Sequence, residues 1–365
     1  LGSILKGRRG VAVLERTDQP LAEDLPLILE VRAAITKCLE NDAASVEQRP
    51  YAGHDSYQRG DMPRLYSGCY GHGTRDLPPE ALLAAIENIL PDGEHKPFYY
   101  LSVDFVHATP ASPKQEIYQQ NLVDAYPQLR DLAIHGSENP DLTPRGSTTV
   151  RMHSVGGWGA ITTGKNLAMT LFDLLGFDIK ANPKYGSEKK GQPTTYYLSA
   201  APEPIRLNCE YHYVDVVMSP DPNVFSHSNP LAGLKHGGVF IIQSSLEDND
   251  AVWASFPRSA RQQIIDNELR VFYLDGFRIA QDEASNPDLQ YRMQGNAFQG
   301  AFFAASPLMQ QAGLDEAGLF EAIDKQLRHK FGSKGERIVQ DNLRVVRRGF
   351  DEITEITDKP LDAAS

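Results

Sequence analysis

The sequence predicts two α/β domains with mostly parallel sheets. Three observations carry this. Short apolar runs that read as strands alternate with apolar residues at helical spacing. The chain has 365 residues, and at ~100–200 residues per domain that fits two. A stretch over 106–147, rich in Pro, Asn, Asp, Ser and Gln, separates two such alternations.

In the first alternation, Val11 to Leu14 reads as a buried strand. Leu27, Val31, Ile35 and Leu39 recur at every fourth residue, which is one helix face. Arg64 to Tyr70 reads as a strand broken by Gly71-His-Gly73. Pro78-Pro79-Glu80 opens a helix through Leu90, with Asp76 as its candidate cap. Phe98 to Phe105 reads as a further strand. Residues 106–147 then lack a pattern beyond a short helix near Gln115 to Leu122. A weakly patterned connection of that length reads as a linker or as an excursion over a partner surface.

The alternation restarts at Thr149 to His153, a strand, followed by a helix over Gly159 to Leu175. Thr195 to Ser199, Tyr213 to Met218, Gly238 to Gln243 and Arg270 to Asp275 read as strands. Helices follow over Gly295 to Ala305, Leu314 to Phe331 and Gly335 to Ile353. The resulting domain plan is 1–105, a linker over 106–147, a second domain over 148–357, and a tail over 358–365.

Lys plus Arg number 36 against 48 Asp plus Glu, a net charge of -12. That balance argues against broad nucleic-acid binding, which needs a basic surface. Cys38, Cys69 and Cys209 are far apart with no C-x-x-C spacing, so a metal or iron–sulfur site held by this chain alone is not expected. Their sparse, odd number also speaks against a secreted disulfide framework. No run approaches ~18 apolar residues, so no membrane span is expected. The chain opens on Leu1 and soon enters a strand. With no leader expected, this suggests either processing or a piece of a longer polypeptide, and a cytoplasmic location.

The sharpest local feature is Ser154-Val-Gly-Gly-Trp-Gly-Ala160, between a strand and a helix. Glycines at Gly156, Gly157 and Gly159 let the backbone bend and let a ligand approach closely. A helix N-terminus adds free N–H groups and the positive end of its dipole. The spacing does not fit G-x-G-x-x-G, and Asp178 lies at the start of the next strand rather than its end, so a nicotinamide dinucleotide is not favoured. That strand leads into a turn bearing Lys184, Lys189 and Lys190, which suits phosphates better than a ribose diol. Ser219 and Asn223 follow another strand end, where crevice loops form in open α/β sheets. For each element the plain structural alternative is an ordinary turn or a solvated loop. His153, at a strand end, reads as a satisfied buried side chain.

Thr149 to Ala160, Tyr211-His-Tyr-Val-Asp-Val-Val217, the loop around Asn223 and Leu231 to Phe240 resemble the gamma domain of 2-oxoacid:ferredoxin (flavodoxin) oxidoreductases, pyruvate:ferredoxin oxidoreductase-like. Arg270 to Asp275, Arg278 to Gln281, Asn296 to Phe298, and Phe331-Gly-Ser-Lys-Gly335 to Asp351 match the same domain in order. Gly10 to Thr17, Pro26 to Ala34, Tyr70 to Asp76 and Pro79-Glu80 are similar to the family's transketolase C-terminal-like domain. The Gly-Gly-Trp-Gly loop and the 106–147 connection depart from the pyruvate enzymes.

The resemblance implies a gamma-type, Rossmann-like second domain with a helical C-terminal part. It implies that a 2-oxoacid, coenzyme A and oxidised ferredoxin or flavodoxin give an acyl-CoA, carbon dioxide and reduced carrier. Thiamine diphosphate and [4Fe-4S] clusters would lie on other domains or subunits of one assembly, expected to be a dimer. This chain would supply the coenzyme A side and a scaffold, without catalytic residues of its own. Gly156, Gly157, Trp158 and Gly159 would meet the pyrophosphate, Lys189 and Lys190 the phosphates, and Ser219 or Asn223 the adenosine or pantetheine arm. The competing readings are a free-standing NAD-binding dehydrogenase and a non-catalytic assembly subunit.

Overall fold

The structure, a computed structural model, describes all residues except 43–44, 73–76, 104–112, 136–140, 185–190, 208, 286–289 and 363–365. The chain divides into two compact units, Leu1–Pro140 and Asp141–Ser365.

The first unit runs α1 (Gly2–Leu5), β1 (Gly10–Glu15), α2 (Pro26–Glu40), β2 (Arg64–Cys69), α3 (Pro79–Ile89), β3 (Phe98–Tyr100), α4 (Pro113–Ala125) and α5 (Gln128–Leu132). Its strands form a parallel sheet in the order β1-β2-β3. One face buries Val13, Leu65 and Cys69 against Ile28, Val31, Ile35 and Cys38 of α2. The other packs Tyr66 and Tyr99 on Ala81, Ala84 and Ala85 of α3. Pro26 and Pro79 open α2 and α3, where a missing N–H costs nothing. Asp76, the expected cap of α3, lies outside the described residues, as does the end of the strand expected to reach Phe105.

The 106–147 stretch contains more structure than its pattern suggests. It carries α4 and α5, and Ile134 is buried in the core of the first unit beside Tyr99 and Leu101. The chain pairs there too, with a parallel bridge between Tyr100 and Ala133. Tertiary burial, not local periodicity, orders this part.

The second unit runs β4 (Thr148–Val155), α6 (Ala160–Leu175), β5 (Asp178–Lys184), β6 (Pro193–Ala201), β7 (Val214–Ser219), β8 (Leu234–Gln243), α7 (Asn249–Ala254), α8 (Arg258–Asp266) and β9 (Arg270–Leu274). It continues through α9 (Gly276–Glu283), α10 (Gln290–Ala305), α11 (Leu308–Ala312), α12 (Glu316–Phe331), α13 (Glu336–Asp351) and β10 (Thr354–Ile356). The sheet order is β10-β9-β8-β7-β4-β6-β5. β9, β8, β7 and β4 are parallel. Both edges are antiparallel: β10 on β9, and β6 and β5 beyond β4. The second sheet is therefore mixed around a parallel centre. The connection from β5 to β6 is too short for a parallel crossover and makes a hairpin instead.

The central strands are apolar on both sides, as buried parallel strands require. Val216, Met218, Ile241 and Phe272 face the layer of α6, α9, α10, α12 and α13. Val217, Phe240, Ile242 and Val271 face Val252 and Trp253 of α7 and Ile264 of α8. In the larger layer α10 and α13 touch backbone to backbone. A Cβ added at Gly300 would lie 2.0 Å from the Val346 carbonyl oxygen, and one at Gly349 would lie 2.0 Å from that of Ala297. Only glycine permits this approach.

Candidate ligand-binding site

β4 ends at Val155 and α6 begins at Ala160, so the glycine turn joins a central strand to a buried helix. Gly157 and Gly159 have φ of 98° and 88°, in the left-handed region that glycine enters freely. Gly159 is the N-cap of α6 and provides no side-chain cap. The first bond of the helix runs from the Thr163 N–H to the Gly159 carbonyl, so the N–H groups of Ala160 to Thr162 start without a helical acceptor.

The turn is stitched to the chain entering β6. The Gly156 N–H donates to the Gln192 carbonyl at 2.8 Å, and the Gly191 N–H donates to the Gly156 carbonyl at 2.9 Å. The Trp158 N–H donates to the Val155 carbonyl at 3.0 Å. This corrects the expectation that the whole turn presents its N–H groups to a ligand. Gly156 spends its N–H on the chain entering β6 and Trp158 spends its own within the turn, while among the described residues the N–H groups of Gly157 and Gly159 and of the first helical turn have no backbone acceptor. The Trp158 ring stacks on Tyr291 at 6.2 Å between centroids and meets Phe277 edge-on at 5.1 Å.

A cavity of 660 Å³ opens on this turn. Its apolar wall includes Val155, Ile161, Met293, Phe331 and Ile338. Arg292, Lys330 and Lys334 supply positive charge, Asn296 and Asn342 supply amides, and no Asp or Glu lines it among the described residues. Lys330 lies in the last turn of α12, and Lys334 ends the short turn that follows. Their ammonium groups lie 5.4 Å and 5.6 Å from the Phe331 ring centroid. The Lys330 Nζ donates to the Asn166 side-chain oxygen. Burial holds its pKa below the ordinary lysine value, and the positive charges of Lys165 and Lys334 push the same way.

Asn166 belongs to a buried amide network between the helices. Its side-chain N–H donates to Asn296 at 3.4 Å, and its carbonyl accepts from Gln326 at 2.8 Å. Asn296 donates on to Asn342. Buried amides are tolerable only when bonded in this way. The network ties the cavity wall to the helical layer.

The other residues predicted from sequence fall elsewhere. Ser219 is fully buried and its hydroxyl donates to the Asp221 carbonyl at 2.8 Å, so it faces no ligand. Asn223 lines a separate cavity of 480 Å³ with Phe225, Ser226, Gln243 and Ser244. Its backbone N–H donates to Asp221 at 2.9 Å. Neither joins the glycine turn. Lys189 and Lys190 lie outside the described residues, although Gly191 and Gln192, which follow them, are bonded to the turn. Lys184 pairs with Glu210 at 2.7 Å.

Asp178 accepts from the Ile205 N–H at 2.7 Å, a structural role. Its strand β5 is an antiparallel edge strand, not the parallel neighbour of β4 that a dinucleotide fold requires. His153 accepts a bond from Arg151 at 3.1 Å. Burial and then the Arg151 charge push its pKa down to about 3, which keeps it neutral. In the first unit, burial raises the Cys69 thiol to about 12, so it stays protonated and unreactive. Among the described residues no group of three or more His, Cys, Asp or Glu side chains is arranged to hold a metal ion, and no helix is long and apolar enough to cross a membrane.

Sheet, turn and cavity define an α/β unit suited to an anionic ligand at a strand–helix junction. Residues 149–352 match the family described as pyruvate ferredoxin/flavodoxin oxidoreductase, and the chain belongs to that family. It is 23% identical over 357 residues to a pyruvate-flavodoxin oxidoreductase of Trichormus variabilis, covering 97% of this chain and 26% of that protein. It is 22% identical over 348 residues to a pyruvate:ferredoxin oxidoreductase of Moorella thermoacetica, covering 95% and 25%. Among solved structures it is similar to the pyruvate oxidoreductase subunit PORC of Thermotoga maritima, with 22% identity and a TM-score of 0.43, covering 57% of this chain and 98% of that one. The chain thus resembles a portion of an oxidoreductase and spans about a quarter of the length of the curated relatives it matches.

Proposed function

We propose that this chain is the coenzyme A side of a 2-oxoacid:ferredoxin or flavodoxin oxidoreductase, with pyruvate as the favoured 2-oxoacid. In that reaction the bond between C1 and C2 breaks and releases carbon dioxide. A thioester forms between C2 and the coenzyme A sulfur, and two electrons pass to the carrier. Residues 1–105 form the transketolase C-terminal-like domain, 106–147 the connection, 148–357 the gamma domain and 358–365 a tail. The assembly is a cytoplasmic dimer.

One observation carries the reading. Within the stretch that matches the family, the glycine turn opens on a cavity lined by cations and apolar side chains. Coenzyme A combines a pyrophosphate and a phosphomonoester with a long arm of low charge. The Gly157 and Gly159 N–H groups and the start of α6 suit its pyrophosphate. Thiamine diphosphate supplies the carbanion chemistry and [4Fe-4S] clusters carry electrons singly. In this reading both groups sit on other domains or subunits of the assembly.

The test is to recover the intact assembly and titrate coenzyme A during 2-oxoacid oxidation. A brown complex well above 40 kDa with saturable coenzyme A dependence is expected. A colourless 40 kDa monomer that binds NAD would replace the proposal with a dehydrogenase. A complex that never binds coenzyme A would replace it with an assembly role.

A further inference from the structure

The cation cluster was not among the residues that the sequence suggested, and its composition bears on which part of a ligand it meets. Lys330 and Lys334 flank one aromatic ring, Arg292 stands on the same cavity, and no carboxylate among the described lining residues balances them. Like charges held together repel, so the arrangement costs free energy until an anion arrives. The Lys330 ammonium donates to the Asn166 side chain, and Asn166 is itself fixed by Gln326 and Asn296. A lysine held at its tip has already lost the rotamer freedom that binding would otherwise take. Burial and two neighbouring lysines hold the Lys330 pKa below its ordinary value, a penalty on its charge that a bound anion relieves.

The two anionic parts of such a ligand differ. A pyrophosphate diester carries one charge per phosphorus and suits a row of backbone N–H groups. A terminal phosphomonoester carries about two charges at neutral pH and suits paired ammonium groups. The cavity offers both environments: the helix start at Gly157 to Thr162, and the lysines of α12 and the turn after it.

We infer that Lys330 and Lys334 form a clamp for a terminal phosphomonoester, with Asn166 as the positioning residue that aims Lys330. The ligand class is a nucleotide that carries a monoester phosphate besides its pyrophosphate. Its identity as coenzyme A rests on the reading above. The clamp does not require the thiol end of the ligand, only the nucleotide end.

The experiment uses the intact assembly and four probes: coenzyme A, dephospho-coenzyme A, pantetheine and adenosine 3′,5′-bisphosphate. The unaltered protein is expected to prefer coenzyme A over dephospho-coenzyme A by roughly tenfold or more in Kd. Lys330→Ala with Lys334→Ala should bring that ratio near one and leave pantetheine unchanged. Neither lysine belongs to the buried core, so the variants should fold. Asn166→Ala should reduce the preference in part, and adding it to Lys330→Ala should change nothing more. A purely structural role for Asn166 would instead lower binding of all probes and add to the lysine effect.

Retention of the preference in the double lysine variant overturns the clamp and leaves the coenzyme A reading standing. Failure to bind coenzyme A, with bisphosphate still bound in a lysine-dependent way, overturns that reading and leaves the clamp. Failure to bind either overturns both.

Discussion

Two strand-to-helix junctions, one in each unit, are finished differently. In the first unit, β1 ends on Glu15, and its carboxylate accepts from the Leu27 and Ile28 N–H groups at 2.7 and 3.1 Å. The start of α2 is thus filled by the chain's own anion. In the second unit, β4 leads into α6 through Gly159, which brings no side chain to the helix start. The same backbone donors there face a cavity edged by lysines. A helix N-terminus attracts an anion in either case. One junction satisfies it internally for stability, and the other leaves it available.

Exchanging the two finishes gives the largest effect at the first junction. Glu15 is only 8% exposed, and Glu15→Ala leaves buried N–H groups without an acceptor. A loss of about 2–3 kcal/mol is expected, measured as a lower denaturant midpoint. An unchanged midpoint would mean that the filled junction contributes nothing to the fold.

At the second junction, Thr162→Glu puts a carboxylate in the first turn of α6. Thr162 is exposed and lines the cavity. Stability should rise by ~0.5 kcal/mol, while affinity for pyrophosphate or a nucleotide should fall by roughly tenfold, equivalent to the loss of one charge-assisted bond. Opposite signs in melting temperature and binding are the signature. A fall in both would show a distorted turn rather than a filled site.

The smallest effect concerns Lys330. Its pKa in the fold lies below the ordinary 10.5, through burial and then Lys165 and Lys334. Between the two values the unfolded chain holds the proton that the folded chain has released. Stability therefore rises as pH increases through that window. Lys330→Gln should flatten this rise and leave the ligand-free protein slightly more stable at neutral pH. Thermal melts from pH 7 to 10 read it directly, and an identical slope in both proteins would remove Lys330 from the electrostatics of the cavity.

The sequence made the alternation legible because its strands are punctuated. Val239 to Ile242 is apolar throughout and preceded by two glycines, and it lies in the second half of β8. The turn at Gly156 to Gly159 was legible for the same reason: a strand, clustered glycines and a helix follow one another. The antiparallel edges were not. Thr354 to Ile356 is three residues long, and its pairing with β9 is a tertiary fact. The cations were hidden differently. Lys330 and Lys334 stand more than 170 residues from the glycine turn, and at the end of an amphipathic helix they look like a solvated face. The run Phe331-Gly-Ser-Lys-Gly335 was visible as part of the family resemblance, yet nothing local placed it on the cavity. Ser219 erred in the opposite direction, since a serine at a strand end looks available until the fold buries it.

The glycine contacts between α10 and α13 have a consequence for traffic. Asn296 and Asn342 face the cavity from those two helices and are bonded to each other. With backbones touching at Gly300 and Gly349, the helices cannot slide or part without losing their packing. That wall is stiff. Lys330 and Lys334 line the same cavity from a helix end and the turn after it, and Lys330 moves only by giving up its bond to Asn166. Entry and exit of a ligand then depend on side-chain rotation at these lysines rather than on helix motion.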